Sequence, residues 1–156
     1  MIKIVRTDSN NQDFIALVEQ LDAYLKITDG NEHEFYNQFN GIDTLHHVVV
    51  IYNNNKAIAC GAFKKFNTDT VEIKRMFVSP SKRQSGIGKI VLKELESWAS
   101  EEGFNFCILE TGKRQTEAVQ FYKKCNYKSI PKYGQYKNMD NSLCFEKKLM
   151  RNEKSL

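Results

Sequence analysis

The chain has 156 residues, of which 41% are hydrophobic and 27% charged, a balance typical of one soluble domain with a buried core. The net charge of +4 is mild and the lysines are scattered, which argues against nucleic-acid binding. The four cysteines lack Cys-x-x-Cys pairs and zinc-like spacing with the histidines, so we expect reduced core residues and no metal. No segment resembles a signal peptide or a membrane span, so we expect a cytoplasmic protein without membrane contact.

Hydrophobic periodicity predicts a strand and two helices in the first third of the chain. Residues 1–6 alternate apolar and polar side chains and form the strand. Ser9-Asn10-Asn11-Gln12 resembles a capping box, so a helix with one apolar face follows and ends near Gly30. Residues 32–39 predict a second, shorter helix that is rich in aromatic residues.

The middle of the chain predicts three consecutive strands. The first, at residues 46–52, contains the continuous apolar run Val48-Val49-Val50-Ile51. Asn53-Asn54-Asn55-Lys56 has the composition of a hairpin turn, and the returning strand lies at residues 57–66. A turn at 67–69 leads into a third strand at 70–78. Short turns between successive strands are typical of an antiparallel meander.

The second half of the chain alternates helices and strands. An amphipathic helix at residues 86–102 ends at Gly103, a buried strand follows at 104–110, and another helix lies at 115–124. The remaining elements are a short strand at 127–130, a tyrosine-rich loop at 131–141 and a last strand at 142–150. The sequence therefore predicts one mixed α+β domain over residues 1–150 and a charged tail at 151–156.

A glycine-containing loop joins the strand that ends at Val78 to the helix that starts near Gly86. The first amides of a helix lack intrahelical partners and the helix dipole is positive there, so this loop predicts an anion site. Gly86 and Gly88 have no side chain that would block a phosphate. A Walker loop is excluded because no Gly-Lys-Ser/Thr run exists, and a Rossmann fingerprint is excluded because its third glycine is missing.

Two blocks of sequence carry a family resemblance. Arg83-x-x-Gly86-x-Gly88 resembles the acyl-CoA loop of the GNAT superfamily of N-acetyltransferases, and residues 78–80 resemble the exit of its fourth strand. Residues 118–127 resemble its Ala-x-x-x-Tyr-x-x-x-Gly-Phe signature, with Asn126 in place of the glycine. The resemblance implies a single GNAT-like domain whose mixed, mostly antiparallel central sheet is flanked by helices and splayed between its fourth and fifth strands.

The resemblance also implies an activity. The expected reaction transfers an acetyl group from acetyl-CoA to a primary amine of a small molecule or amino-acid-like acceptor, by direct attack in a ternary complex. Two alternatives stay open, namely a non-catalytic acyl-CoA-binding or regulatory module and an acetyltransferase for protein lysines or N-termini. A homodimer is common in the superfamily and is a further expectation.

The position of the helix start and the resemblance together select the residues that bind the cofactor. The pyrophosphate would accept hydrogen bonds from the amides of residues 84–89, with charge from Arg83 and Lys89. The resemblance implies that the pantetheine arm lies along the strand at residues 72–78. The predicted cofactor-binding residues are Phe77, Val78, Arg83, Gln84, Ser85, Gly86, Ile87, Gly88, Lys89, Gln115 and Tyr122.

Acetyl transfer also needs an oxyanion donor and two proton transfers. The resemblance places the oxyanion beside the backbone N–H of Met76 and makes Tyr122 the general acid that protonates the thiolate. Glu72 is the first candidate for the base that takes the proton of the amine. Glu110 is its rival, and a chain of waters is a third route.

The acceptor pocket is less well specified by the sequence. The loop at residues 131–141 and the segment at 109–113 are expected to border it. Lys74, Arg75, Lys113 and Arg114 could bind an acidic group on the acceptor. Each of these four side chains alone is more often a solvated surface residue. For Glu72, a surface position on an alternating strand is the alternative to the catalytic role.

Overall fold

Seven strands and three helices form the part of the chain that the computed structural model describes, residues 1–32 and 45–150. The strands are β1 Ile2–Thr7, β2 His47–Asn53, β3 Lys56–Lys65, β4 Thr70–Val78, β5 Phe106–Gly112, β6 Lys128–Ile130 and β7 Ser142–Lys148. The helices are α1 Gln12–Asp29, α2 Ile87–Glu101 and α3 Thr116–Lys124. The helix predicted at residues 32–39 lies outside the described residues apart from Glu32, and so does the tail at 151–156.

The strands form one mixed sheet in the order β1-β2-β3-β4-β5-β7-β6. All neighbouring pairs are antiparallel except β4 and β5, which run parallel. The parallel pairing covers only Thr70–Glu72 against residues 106–108, and beyond that point β5 pairs with β7 alone. The two strands therefore separate, which confirms the predicted splay between the fourth and fifth strands and the predicted α+β fold.

Local sequence explains where several elements start and stop. Asn54 and Asn55 both have positive φ, at 51° and 68°, which is what a two-residue hairpin turn of type I′ needs. The cap of α1 is Asn11, whose side chain accepts a hydrogen bond from the Phe14 amide. The capping box predicted from Ser9 is therefore wrong, because the helix begins at Gln12 and the Ser9 amide donates to the Leu45 carbonyl.

Helices cover both faces of the sheet. On one face, α1 packs its apolar side chains against the strands through residues Phe14, Leu17, Val18, Leu21, Val48, Val50, Cys60 and Phe77. On the other face, α2 packs its side chains Val91 and Leu95 against the strand residues Val49, Phe63, Val71 and Ile73. The four cysteines are free, and three of them are buried as predicted. None of the helices within residues 1–32 and 45–150 is long and apolar enough to cross a membrane.

A β-bulge interrupts β4 at Arg75 and Met76. Cys60 pairs with Phe77 and Ala62 pairs with Lys74, so Gly61 alone faces two residues of β4. Arg75 adopts a φ of 59°, which is uncommon for a residue other than glycine.

The bulge changes which face of the sheet each β4 side chain covers. Val71 and Ile73 lie on the α2 face, whereas Phe77 lies on the α1 face although its number is also odd. Met76 and Val78 then pack on the α2 side. A Cβ atom built on Gly61 would lie 2.6 Å from the sulfur of Met76, so the bulge requires glycine at that point of β3.

Candidate active site

A cleft of about 120 Å³ opens where β4 and β5 separate. The cleft is lined by residues 72–76 of β4, residues 109–112 of β5, and Tyr136. Two residues of α1 also line it, Leu21 and Leu25, and so does one side of α3 with its N-cap Gln115. Four of the predicted site residues meet in its lining, together with the rival base Glu110. These four are Glu72, Met76, Gln115 and Tyr122. The other predicted residues follow along β4 and the loop into α2 and do not line this cavity.

Tyr122 projects from α3 and is only 8% exposed. Its ring contacts those of Phe121 and Tyr127, with centroids 5.2 and 5.8 Å away. Burial, with a smaller effect from Cys125, raises the pKa of Tyr122, and no residue in the described part of the chain hydrogen-bonds its hydroxyl. The cleft is therefore bordered by a neutral phenol, which can donate a proton.

The end of α3 fixes the position of Tyr122. Asn126 adopts a φ of 73°, so it supplies the left-handed residue that usually is a glycine. The Tyr127 amide donates to the Tyr122 carbonyl at 3.0 Å, and the Asn126 amide donates to the Lys123 carbonyl at 3.1 Å. These two bonds form a Schellman cap, so asparagine at this place preserves the geometry of the signature block.

Glu72 is the last residue of β4 that pairs with β5, and it is only 3% exposed. The interpretation of this carboxylate as a solvated surface group is therefore wrong. The Tyr133 hydroxyl donates to Glu72 Oε2 at 2.7 Å, and Lys74 Nζ lies 3.9 Å from Oε1. Burial and the adjacent carboxylate of Glu72 raise the pKa of Tyr133, so this phenol stays a hydrogen-bond donor over the physiological range.

The sequence predicts only a tyrosine-rich loop at residues 131–141, whereas the structure brings Tyr133 of this loop to Glu72 and Tyr136 into the cleft wall. Both rings contact one another, with centroids 5.7 Å apart, and Tyr133 also contacts Phe66 at the β3–β4 turn. The density of aromatic residues in the loop at 131–141 was the available signal. The hydrogen bond from Tyr133 to Glu72 forms where the loop packs on Phe66 at the turn after β3. Residue spacing along the sequence could not predict this long-range contact.

Lys74 and Arg75 are also buried in the cleft wall, with side chains 6% and 1% exposed. The expectation that they are solvated surface residues is wrong, because α1 covers this part of the sheet. Burial lowers the pKa of Lys74, and the Glu72 carboxylate opposes that effect. Arg75 Nη2 is bonded to Asp22 of α1. Lys113 and Arg114, by contrast, are exposed as expected.

The loop before α2 presents the start of that helix to solvent. Gly86 is the N-cap with a φ of 83°, and a Cβ atom placed on it would meet nothing within 4 Å. The first turn of α2 contains no acidic residue, so the amides and the dipole at this end are not neutralised by the helix itself. Gln84 and Ser85 are exposed beside it, and so is Lys89 in the first turn. This open, electropositive end can hold a phosphate group.

Gly88 has a packing role in the structure. A Cβ atom there would lie 3.3 Å from the Phe121 ring, so this glycine allows α2 and α3 to approach closely. Arg83 donates from Nε to the Val78 carbonyl at 2.9 Å. Its guanidinium lies 5.6 Å from the ring centroids of both Tyr24 and Phe77, which connects the loop to α1 and to the end of β4.

Comparisons with known proteins identify the family to which this fold belongs. The profile of the Acetyltransferase (GNAT) family matches residues 13–127. An IAA acetyltransferase from Azospirillum brasilense is 30% identical over 156 residues, covering 95% of this chain and 98% of its own. A candidate acyl-CoA N-acyltransferase from Klebsiella pneumoniae has a TM-score of 0.81 at 26% identity, covering 96% and 99% of the two chains.

A more distant structure has the same fold. The PaiA N-acetyltransferase of Thermoplasma acidophilum, solved in complex with coenzyme A, has a TM-score of 0.71 at 19% identity. The superposition covers 95% of this chain and 99% of that one. The family assignment rests on the profile match and on the nearly full-length Azospirillum relative, and it confirms the prediction from the two sequence blocks. The chain belongs to the acetyltransferase (GNAT) family.

Proposed function

We propose that the protein transfers an acetyl group from acetyl-CoA to the primary amine of a small molecule or amino-acid-like acceptor, by direct attack in a ternary complex. The main support for the proposal is that Glu72, Met76 and Tyr122 all line one cleft between the separated strands β4 and β5. Such a cleft offers a proton acceptor, a backbone donor and a proton donor around one reaction centre. Membership of the acetyltransferase (GNAT) family supports the reaction class.

The loop into α2 is proposed to bind the pyrophosphate of acetyl-CoA. The amides of residues 84–89 lie at the open N-terminus of a 15-residue helix, and Lys89 adds a positive charge in its first turn. The same superfamily pattern makes Phe77 and Val78 the strand residues beside the pantetheine arm, and Gln115 borders the cleft where a polar contact is expected. Arg83 would act mainly by holding the loop against β4, because its Nε is already bonded to the Val78 carbonyl.

Each catalytic residue has a distinct task in this proposal. The Met76 amide, next to the bulged Arg75, donates to the oxyanion that develops on the attacked carbonyl. Tyr122 gives its proton to the departing thiolate, which it can do because burial keeps the phenol protonated. Glu72 takes the proton of the amine. Glu110, in the same cleft, stays the alternative base.

The size of the cleft supports a compact acceptor. A volume of about 120 Å³ corresponds to roughly four waters at liquid density, which suits a small molecule better than a folded protein surface.

Release of free thiol from acetyl-CoA in the presence of primary amines tests the proposed reaction directly. We expect amine-dependent thiol release, with one N-acetylated product per thiol detected by mass spectrometry. Thiol release that does not depend on the amine, or acetyl-CoA binding with no turnover of any amine, would contradict the proposal and favour a non-catalytic module. A peptide with a free N-terminus and an internal lysine, tested in parallel, covers the protein-acetylating alternative.

The matched variants Glu72→Gln and Glu110→Gln test which carboxylate is the base. We expect Glu72→Gln to lower kcat/KM about 30-fold at pH 7, with partial recovery in alkali as the free amine accumulates. Glu110→Gln should stay within about threefold of the parent at every pH. If instead kcat/KM of Glu110→Gln fell at pH 7 and recovered in alkali, while kcat/KM of Glu72→Gln kept a constant ratio to the parent at every pH, Glu110 would be the base and Glu72 would not.

A further inference from the structure

The wall of the cleft that faces α1 carries both signs of charge. Glu72 and Lys74 alternate along β4, and Arg75 follows at the bulge. Glu110 lines the cleft from β5, on the opposite side of the opening. These four charged side chains share one cavity of about 120 Å³, so any molecule in that cavity is close to carboxylates and to cations at the same time.

Arg75 is the most informative of the four. Its side chain is 1% exposed and forms an ion pair with Asp22 of α1, whose side chain is 40% exposed. Within residues 1–32 and 45–150, the buried Nε of Arg75 has no hydrogen-bond partner. A buried guanidinium that is bonded on only part of its donor fork can accept a second anion, since its fork geometry matches a carboxylate.

The electrostatic environment of Lys74 also favours an anion in the cleft. Burial lowers the pKa of Lys74, and Arg75 adds to that effect as a second positive charge, while Glu72 and Glu110 oppose it. An anion that entered the cleft beside these two cations would reduce their mutual repulsion and replace part of the lost hydration. A purely cationic acceptor such as a diamine would bring a further positive charge to the same place.

We infer that the acceptor is a compound with both a primary amine and a carboxylate, an amino acid in the chemical sense, and that Arg75 and Lys74 bind its carboxylate. The amine then faces Glu72 and Glu110. This inference rests on the proposed function and narrows it to an acceptor class. It assigns to Arg75 a role in binding the acceptor, separate from its ion pair with Asp22.

Matched acceptors provide the test in the unmodified protein. The twenty α-amino acids, their carboxamides and the corresponding decarboxylated amines are compared by thiol release from acetyl-CoA. We expect the best amino acid to exceed its own carboxamide and amine at least about tenfold in kcat/KM, through KM, because a charge-assisted hydrogen bond is lost in both analogues. Equal or better turnover of the carboxamide or the amine would overturn the inference and leave the proposed acetyl transfer standing. Failure of all these compounds while another primary amine is acetylated would overturn the inference alone, and failure of every primary amine tested would overturn both.

The variant Arg75→Lys then tests whether Arg75 binds the carboxylate of the acceptor. Lysine keeps the positive charge and can still pair with Asp22, but it lacks Nε and the planar fork. We expect it to reduce the preference for the acid over its carboxamide to about threefold or less. Arg6→Lys, the same replacement at an arginine that is also ion-paired but lies outside the cleft, is the control and should keep the parent's preference. A preference retained in folded Arg75→Lys would assign the carboxylate to another residue and overturn this role of Arg75.

Discussion

Replacing Gly86 with aspartate is expected to weaken acetyl-CoA binding about 30-fold, while asparagine at the same position keeps most of the affinity. Both side chains have the same shape, and both tolerate the left-handed backbone that Gly86 adopts at a φ of 83°. They differ by one negative charge. A unit charge about 8 Å from a phosphate costs about 2 kcal/mol at an effective dielectric constant of 20, which corresponds to the expected loss.

The structure also predicts how the stability of these variants behaves. The Cβ of either residue enters open space, and a carboxylate at the N-cap interacts favourably with the dipole of α2. Gly86→Asp should therefore melt within a few degrees of Gly86→Asn although it binds acetyl-CoA more weakly. This combination separates a blocked anion site from a damaged fold.

Isothermal titration of acetyl-CoA into the parent and both variants makes the measurement. Repeating the titration at high salt should reduce the difference in acetyl-CoA affinity between the aspartate and asparagine variants, because salt screens the repulsion between the carboxylate and the phosphates. Equal affinity of the two variants at low salt would mean that the phosphates do not bind at the start of α2. In that case the loop at residues 83–88 would be only a strand-to-helix turn.

Much of the fold could be predicted because its signals are local. The apolar run Val48-Val49-Val50-Ile51, the asparagine-rich turn and the amphipathic pattern of α2 each depend on neighbouring residues, and each matches the structure. The glycine loop also follows local rules. Only part of the role of Gly88 is local. Its close approach to the Phe121 ring joins two helices that are far apart in sequence, and the sequence pattern around Gly88 does not indicate this contact.

The burial of the charged residues in the cleft wall could not be predicted because it depends on long-range packing. Glu72, Lys74 and Arg75 form a polar run on a strand, which by itself is typical of a solvated face. They are buried because α1 and the loop at residues 131–141 cover this end of the sheet. One signal was available. Apolar residues fall at 71 and 73 but then at three consecutive positions, 76–78, and such a change of phase indicates a bulge.

The second large effect is expected from Tyr122→Phe, which should lower kcat about 100-fold with acetyl-CoA while raising the Kd for acetyl-CoA by less than about threefold, since the ring that borders the cofactor remains. Phenylalanine keeps the ring contacts with Phe121 and Tyr127 and removes only the proton donor. The size of the loss follows from the usual contribution of general acid catalysis. Because burial raises the pKa of Tyr122, the parent keeps its donor protonated, and the ratio of parent to variant should stay constant from pH 7 to about 10.

Tyr127→Phe is the matched control for the loss of a buried tyrosine hydroxyl. Its hydroxyl donates to Glu96 at 2.8 Å, and Tyr127 does not line the cleft. That variant should lose about 1–2 kcal/mol of stability, since Glu96 loses a hydrogen bond, but its kcat should stay near the parent value. An equal loss of kcat in both variants would show that ring packing around α3, and not proton donation, supports turnover.

A change of leaving group makes the assignment of Tyr122 more specific. The acetyl thioester of 4-nitrothiophenol releases a thiolate that is stable without a proton, so a general acid has little to contribute to its departure. With this donor, we expect Tyr122→Phe to recover to within about fivefold of the parent, because the step that needs the phenol is bypassed. A variant that matches the parent with acetyl-CoA itself would exclude Tyr122 as the acid. If Tyr122→Phe lost as much kcat with the activated thioester as with acetyl-CoA, the phenol would instead position the acyl group.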